Sequence, residues 1–425
     1  MRAVRITIVT IGSRGDVQPY VALGAGLKSA GHDVRVATHE NFRSTIQRHH
    51  LDFAQLPGDP RQIVESDAGQ AWLDSGRNAF AFAHRMAGLM RPLALSATKC
   101  CLEACRSADL VVYSMLGWLV THHVTEKLGI PAVAAYLQPV TPTREFHLTL
   151  GRLRGRVGGV ANLTMYLAGE QLFWMFFRHP LNAARRDLLG LPPMSLKAPY
   201  AAERRKGKPV LYGYSPTLLP KPNDWPDNVH VTGAWFPEPD SEWQPSPELV
   251  DFLNAGTPPV YVGFGSMHAR NADQHTRNVV EALTRAGQRG ILLTGWGALA
   301  ALELPEHVLA LSSVPHDWLF PRTAAVVHHC GSGTTAAGLR AGVPTVPVPF
   351  FGDQPFWARC LYDRGVAAEP IPIKRLDTAR LTEAIRYAVH DPRVRERASI
   401  IGERVRSEDG VGRAVELVER FARSN

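Results

Sequence analysis

The residues best equipped for chemistry lie in one stretch, "AAVVHHCGSGTTAAGLRAGVPTVPVPFFGDQPFW", residues 324–357. Adjacent His328, His329 and Cys330 precede a small-residue turn and a helix-like run. Metal ligation, nucleophilic attack and the cradling of a phosphate are the chemistries to weigh. Neighbours on a strand point to opposite faces, so these three residues do not converge on one ion, and no metal is expected. A P-loop is excluded, because no Gly-Lys-Ser/Thr closes the turn. An anion cradle fits better. Val326 and Val327 end a strand, Thr334 to Arg340 begin a helix, and Gly331, Ser332 and Gly333 let backbone amides approach a ligand closely. Amides at a helix start carry partial positive charge, which suits a phosphate. Ser332 and Thr334 add donors, and His329 can donate an imidazole N–H. In a reaction that expels a diphosphate, these donors stabilise the departing charge. Gly331 and Gly333 would equally make a plain strand-to-helix turn, and on these residues alone both readings stand.

The elements that must position this turn come from a chain of 425 residues, long enough that two domains are the default. The front reads as an α/β unit. "VRITIVTI" is a strand buried on both faces, "GSRGDVQP" a turn, "YVALGAGLKSAG" a helix closed by Gly31, and "DVRVAT" a second strand. "ADLVVYS", "WLVTHHVTEKLG" and "IPAVAAYLQP" continue the alternation, which implies a parallel sheet wrapped on both sides. The rhythm fades between about Thr143 and Lys208, where helical periodicity, aromatics and arginines prevail. Those helices are read as a cover for the first domain, with an acceptor wall or a peripheral membrane patch near residues 152–178 as the sharper alternative. "WFPEPDSEWQPSPE" reads as a linker. The α/β rhythm then restarts with "PPVYVGFGS", "RNVVEALTRAG", "GILLTGW", "AAVVHH", "TTAAGLRAG" and "PTVPVPF". The fold class is therefore α/β with two successive Rossmann-like halves. Ligands of such sheets sit at the carboxyl ends of the strands. "GVGRAVELVERFARSN" is an amphipathic helix able to pack on either half.

Composition bounds the rest. With 47 Lys and Arg against 39 Asp and Glu, the net charge is +8. No aromatic-interleaved basic stripe accompanies it, so nucleic acid is not the expected partner. Five cysteines without framework or zinc spacing suggest a reduced, cytoplasmic protein. The opening apolar run is short and ends in Gly-Ser-Arg-Gly-Asp, so it reads as a core strand and not a leader. Oligomeric state is not legible.

His329-Cys330-Gly331-Ser332-Gly333-Thr334, followed by Asp353-Gln354, resembles the donor signature of nucleotide-sugar glycosyltransferases of the GT-B fold. "GSRGDVQPYVALGAGLKSAGHDV", "YLQPVTPTREF", "VPHDWLFP" and "PFFGDQPFW" are similar to the sterol 3-beta-glucosyltransferases and, less closely, to the transferases that decorate vancomycin-type antibiotics. The resemblance implies two facing Rossmann-like domains with a cleft between them. It places an acceptor domain over residues 1–235, a donor domain over 236–405, and a helix over 406–425 that crosses back to the first domain.

By that resemblance His329 holds the diphosphate, with Gly331, Ser332, Gly333 and Thr334 as phosphate-binding amides and a hydroxyl. Ser266 in "GFGSM" meets the donor, and the Val314 backbone reads the base edge. Asp353 and Gln354 hold sugar hydroxyls; a carboxylate accepts from two adjacent hydroxyls, which favours glucose over a deoxygenated sugar. Ala337 stands where plant relatives carry a ribose-binding glutamate, so the choice of uridine or thymidine donor stays open. Asp16 falls where many relatives have a catalytic histidine, and it would take the acceptor's proton as base. A helix cap is the competing role for Asp16. Ser13, Arg14 and Gly15 line the same loop. The expected activity is inverting, metal-independent transfer of a hexose from UDP-glucose to a hydrophobic small-molecule hydroxyl, with no cofactor beyond the nucleotide sugar. A dTDP-deoxysugar transferase, a degenerate partner protein and a nicotinamide oxidoreductase are the competing readings. "GSRGDV" lacks the full Gly-x-Gly-x-x-Gly spacing that the oxidoreductase needs.

Overall fold

The computed structural model describes residues 3–60, 62, 66, 84–85, 88, 91–148, 158–238, 242–265, 267, 272–294, 299 and 303–424. The chain divides into two compact units. The first comprises Met1–Pro216, Pro220–Pro237 and Asp409–Asn425, and the second Thr217–Leu219 and Glu238–Glu408.

In the first unit seven strands form one parallel sheet: β1 (Arg5–Val9), β2 (Asp33–His39), β3 (Asp52–Leu56), β4 (Leu110–Tyr113), β5 (Ala132–Tyr136), β6 (Val210–Tyr212) and β7 (Val229–Val231). Their order is β3-β2-β1-β4-β5-β6-β7. The central strands are apolar on both faces because helices cover both. Ile6 and Ile8 of β1 enter one core with Leu23, Leu27 and Val418, whereas Val9 enters another with Cys101, Val124 and Trp174. The strand order reverses between β1 and β4, which opens a crevice beyond their carboxyl ends.

The second unit has five parallel strands: β8 (Val260–Gly263), β9 (Gly290–Leu293), β10 (Val308–Leu311), β11 (Ala325–His328) and β12 (Thr345–Pro347). Their order is β10-β9-β8-β11-β12, so its reversal falls between β8 and β11. The loops after β1, β8 and β11 are thus the places where each sheet can receive a ligand.

Three local readings need correction. The first helix is Arg14–Ser29 and begins six residues before Tyr20, with Pro19 inside it. Pro19 lacks the N–H that would bond the Gly15 carbonyl, and Gly15 is exposed, so water can replace that bond. The segment read as a linker is structured at both ends. Trp235 is buried and packs edge-on against Tyr20 at 5.7 Å, and Ser246 caps the Pro247–Asn254 helix. Strands β3, β6, β7 and β10 were not anticipated.

The final helix, Gly410–Ser424, belongs to the first unit. A Cβ at Gly26 would lie 2.4 Å from Val411 Cγ1, so the missing side chain sets how closely this helix meets the first one. His32 Nε2 meets Glu419 Oε1 at 3.2 Å to fix its rotation. The faded region holds the 26-residue helix Gly159–Ala184, whose Trp174, Phe176, Phe177 and Leu181 enter the β-sheet core. No described helix is long and apolar enough to cross a membrane.

Candidate active site

The loop leaving β1 is shaped around one carboxylate. Gly12 has φ +141°, and a Cβ there would lie 2.4 Å from Asp16 Oδ2. Only glycine lets the Asp16 side chain fold back over the loop. Asp16 Oδ2 accepts from the Ser13 amide at 2.8 Å and from the Ser13 hydroxyl at 3.0 Å. These bonds form a capping arrangement at the helix start. Asp16 Oδ1 accepts nothing from a described residue, so capping occupies only one of the two oxygens. Burial raises the carboxyl above its ordinary range, and the Ser13 hydrogen bonds work against that rise. Arg14 and Gly15 are exposed, and Arg14 Nε donates to Gln18.

One further group at this loop escaped sequence reasoning. His39, buried at the end of β2, accepts from the Gly12 amide through Nε2 at 3.3 Å. Its only signal was its place at the carboxyl end of the strand beside β1.

The balance of forces on Asp16 gives a signed expectation. Its charged form is disfavoured by burial and favoured by the Ser13 hydroxyl. Ser13→Ala removes one stabilising bond, so the Asp16 carboxyl should titrate at higher pH. NMR titration of the Asp16 carboxyl carbon reads this; an unmoved or downward-shifted midpoint would contradict the contact.

At the second unit's switch point, His329 follows β11 and is buried. A Cβ at Gly265 would meet His329 Cε1 at 2.8 Å, and one at Gly331 would meet Nε2 at 2.5 Å. The imidazole therefore lies between two glycines, one from the β8 loop and one from its own. His329 Nδ1 is buried, and no described residue hydrogen-bonds to it. Burial lowers the ring to about 4, so it is uncharged at neutral pH.

The helix Ser332–Ala341 starts immediately after, with Gly331 at its N-cap. Gly331 has no side chain to cap the first-turn amides, which have no acceptor within a helix. The Thr335 amide closes that turn onto the Gly331 carbonyl at 2.9 Å. Beside Gly333 a Cβ would meet nothing within 4 Å, so there is room over the turn.

Asp353 and Gln354 follow β12, the strand next to β11. Asp353 Oδ2 accepts from Trp357 Nε1 at 2.9 Å. Its charge contributes, after burial, to raising the Cys330 thiol, which sets the carboxylate near the turn. Gln354 is largely committed to the protein. Its Oε1 accepts from the Phe350 amide at 2.8 Å and the Phe351 amide at 3.3 Å, while Nε2 donates to Met267 Sδ. One amide hydrogen of Gln354 has no acceptor among the described residues.

Val314 packs its side chain among Tyr261, Ile291, Leu319 and Val326, and no described residue engages its backbone amide or carbonyl. Ser266 lies outside the described residues; its neighbours show only that Met267 N–H closes onto the Phe264 carbonyl. Thus the structure brings His329, Gly331, Ser332, Gly333, Thr334 and Asp353 together in one unit, and Ser13 with Asp16 in the other.

The His328 and His329 rings are 6.5 Å apart and nearly perpendicular. Among the described residues, the group with metal-ligand composition and spacing is His122, His123 and Glu126. Arg185 donates to His123 Nδ1 at 3.0 Å and to both Glu126 oxygens, so a guanidinium already occupies the cation's place.

Residues 6–147 match the glycosyltransferase family 28 N-terminal domain, and residues 296–417 the erythromycin biosynthesis protein CIII-like C-terminal domain. Sterol 3-beta-glucosyltransferase UGT80A2 of Arabidopsis thaliana is 38% identical over 97% of this chain and 64% of its own length. UGT80B1 of the same plant is 36% identical over 98% of this chain and 68% of its own. The sterol 3-beta-glucosyltransferase of Emericella nidulans is 36% identical over 98% of this chain, which spans 30% of that relative. Among solved structures, the kitacinnamycin glycotransferase superposes with a TM-score of 0.73 at 21% identity, over 99% of each chain. VinC in complex with dTDP gives 0.67 at 20% identity, over 99% and 100%. These likenesses show the GT-B glycosyltransferase fold.

Proposed function

Because the chain belongs to the glycosyltransferase family that includes the sterol 3-beta-glucosyltransferases, we propose that it transfers a hexose from a nucleotide sugar to a small-molecule hydroxyl. The observation that carries this reading is His329, a buried neutral imidazole whose Nδ1 bonds no described residue, beside a helix start whose N-cap is the side-chain-less Gly331. A buried polar atom without a partner is costly, and a ligand that supplies one recovers that cost.

The diphosphate rests on the first-turn amides of residues 332–334 and on His329. Those groups do the work that a divalent cation does elsewhere, so transfer proceeds without one. Asp353 accepts from two adjacent sugar hydroxyls, and the remaining Gln354 hydrogen donates to one. The Val314 backbone meets the base edge. Asp16 takes the proton of the acceptor hydroxyl as its oxygen attacks the anomeric carbon, and the sugar–phosphate bond breaks on the opposite side. One displacement inverts the anomeric configuration. The proton ends on Asp16 and the electron pair on the nucleoside diphosphate, whose charge the turn stabilises.

The donor is UDP-glucose and the acceptor a hydrophobic alcohol such as a sterol or polyketide. The Gly159–Ala184 helix supports a lipid-facing delivery route. It exposes Val160, Leu167 and Met175, and its charged residues Glu170 and Arg178 are spent on Arg204 and on the Ser195 carbonyl. Binding to anionic vesicles in a sedimentation assay is expected, reduced by Met175→Glu; no binding by the intact protein would remove the membrane element.

The transfer itself is tested by a donor screen. UDP- and dTDP-sugars are paired with a small acceptor library, with chelator present, and products are read by mass spectrometry. A glucosylated hydrophobic alcohol from UDP-glucose is the expected product. Transfer only from dTDP-deoxysugars would replace the donor reading, and nucleotide binding without turnover would favour a partner protein.

A further inference from the structure

We propose that His328 is a positioning residue of the diphosphate turn: its imidazole accepts the Cys330 amide and so holds the left-handed backbone that aims His329. The inference rests on reading the His329 turn as a diphosphate site.

His328 ends β11 and is fully buried. Its Nδ1 accepts from the Cys330 amide at 3.0 Å, so the ring proton sits on Nε2. Cys330 has φ +64°, a conformation that non-glycine residues rarely adopt; among the described residues His50 alone shares it. Backbone of this kind persists only where its surroundings hold it. Here they do so from two sides. The His328 carbonyl accepts from the Val348 amide at 2.8 Å and faces the Cys330 thiol at 3.7 Å.

The other end of the ring reaches the helix that follows. A Cβ at Gly338 would lie 3.8 Å from His328 Nε2, so the imidazole spans from the turn to the second turn of Ser332–Ala341. It thereby sets the spacing between the turn and the helix whose first amides are to meet the phosphate. His328 does not itself face a ligand, because Nδ1 is used internally and Nε2 is buried under the helix. The sequence pair His-His thus divides into a residue whose Nδ1 is spent on shaping the turn and a residue whose Nδ1 is bonded to no described residue. Burial keeps His328 neutral, as the role requires; a proton on Nδ1 would set N–H against N–H.

The test compares wild type, His328→Asn, His328→Leu and His329→Ala. Calorimetric titration with UDP and with dTDP is combined with nitrogen-detected NMR of the histidine rings. Asn places an acceptor oxygen where Nδ1 stands, so H328N should bind within about threefold of wild type, whereas H328L should lose on the order of tenfold. Donor KM should follow affinity while acceptor KM stays put. The NMR spectrum should show an unprotonated Nδ1 at His328. H328L folded by circular dichroism with wild-type affinity, or H328N as weak as H328L, would overturn the proposal. A protonated Nδ1 would overturn it whatever the nucleotide does. If His329→Ala binds as wild type, the diphosphate reading falls instead, while the NMR result still judges the His328–Cys330 bond.

Discussion

Asp16→Asn is expected to lower kcat about a thousandfold while nucleoside diphosphate affinity stays within about twofold. The substitution is nearly isosteric. Its amide oxygen can still accept from the Ser13 amide at the place where Oδ2 accepts at 2.8 Å, so the helix start and the Gly12 turn should survive. What is lost is proton affinity. Asp16 Oδ1 is the oxygen left outside the capping arrangement, and burial has already raised the carboxyl above its ordinary range. Both features favour a base over a cap, because a carboxylate held by amides on both oxygens would be strongly stabilised in its charged form. The readout is single-turnover transfer combined with calorimetric UDP binding. Retained turnover would remove Asp16 as base, and lost binding would show that the substitution had damaged more than proton transfer.

His329→Ala should weaken nucleoside diphosphate binding and slow transfer together, each by roughly a hundredfold, the scale of losing one preorganised donor to a developing anion. Binding and rate fall together because the ring meets the diphosphate in the ground state and again as charge accumulates on departure. The neutral state of His329 adds a pH signature. With the ring at about 4, its contribution does not depend on a proton gained near neutrality. Affinity should therefore not decline as pH rises through the usual histidine range around 6.5. A decline there would mean that an imidazolium binds the phosphate. An alanine variant with normal affinity and rate would mean that the turn is not the diphosphate site.

The strands before both residues were legible for a physical reason. Val326 and Val327 are β-branched and buried on both faces, so β11 and the turn after it were legible from pattern alone. The same holds for β1, whereas Asp16, read in the loop after it, lies in the first turn of the helix. Strands β6, β7 and β10 were missed because they are three or four residues long and carry little pattern of their own. Their pairing partners define them. The start of the Arg14–Ser29 helix was missed because glycine and proline punctuate it, and the tolerance of Pro19 depends on the exposure of the Gly15 carbonyl. In the site, residue types were readable but commitments were not. Gln354 looks like a sugar-binding amide in sequence, yet its oxygen is spent on two backbone amides. Gly265 gained meaning only once His329 was seen to pack on it. His39 and His328 act through backbone amides of irregular turns, and no one-dimensional pattern encodes such bonds.

The measurement that bears most directly on the account is an experimental structure with bound UDP. Phosphate oxygens are expected within hydrogen-bonding distance of the His329 imidazole and of the amides of residues 332–334, with the uracil edge at the Val314 backbone. A fully occupied UDP bound elsewhere, with no phosphate oxygen at His329, would contradict it.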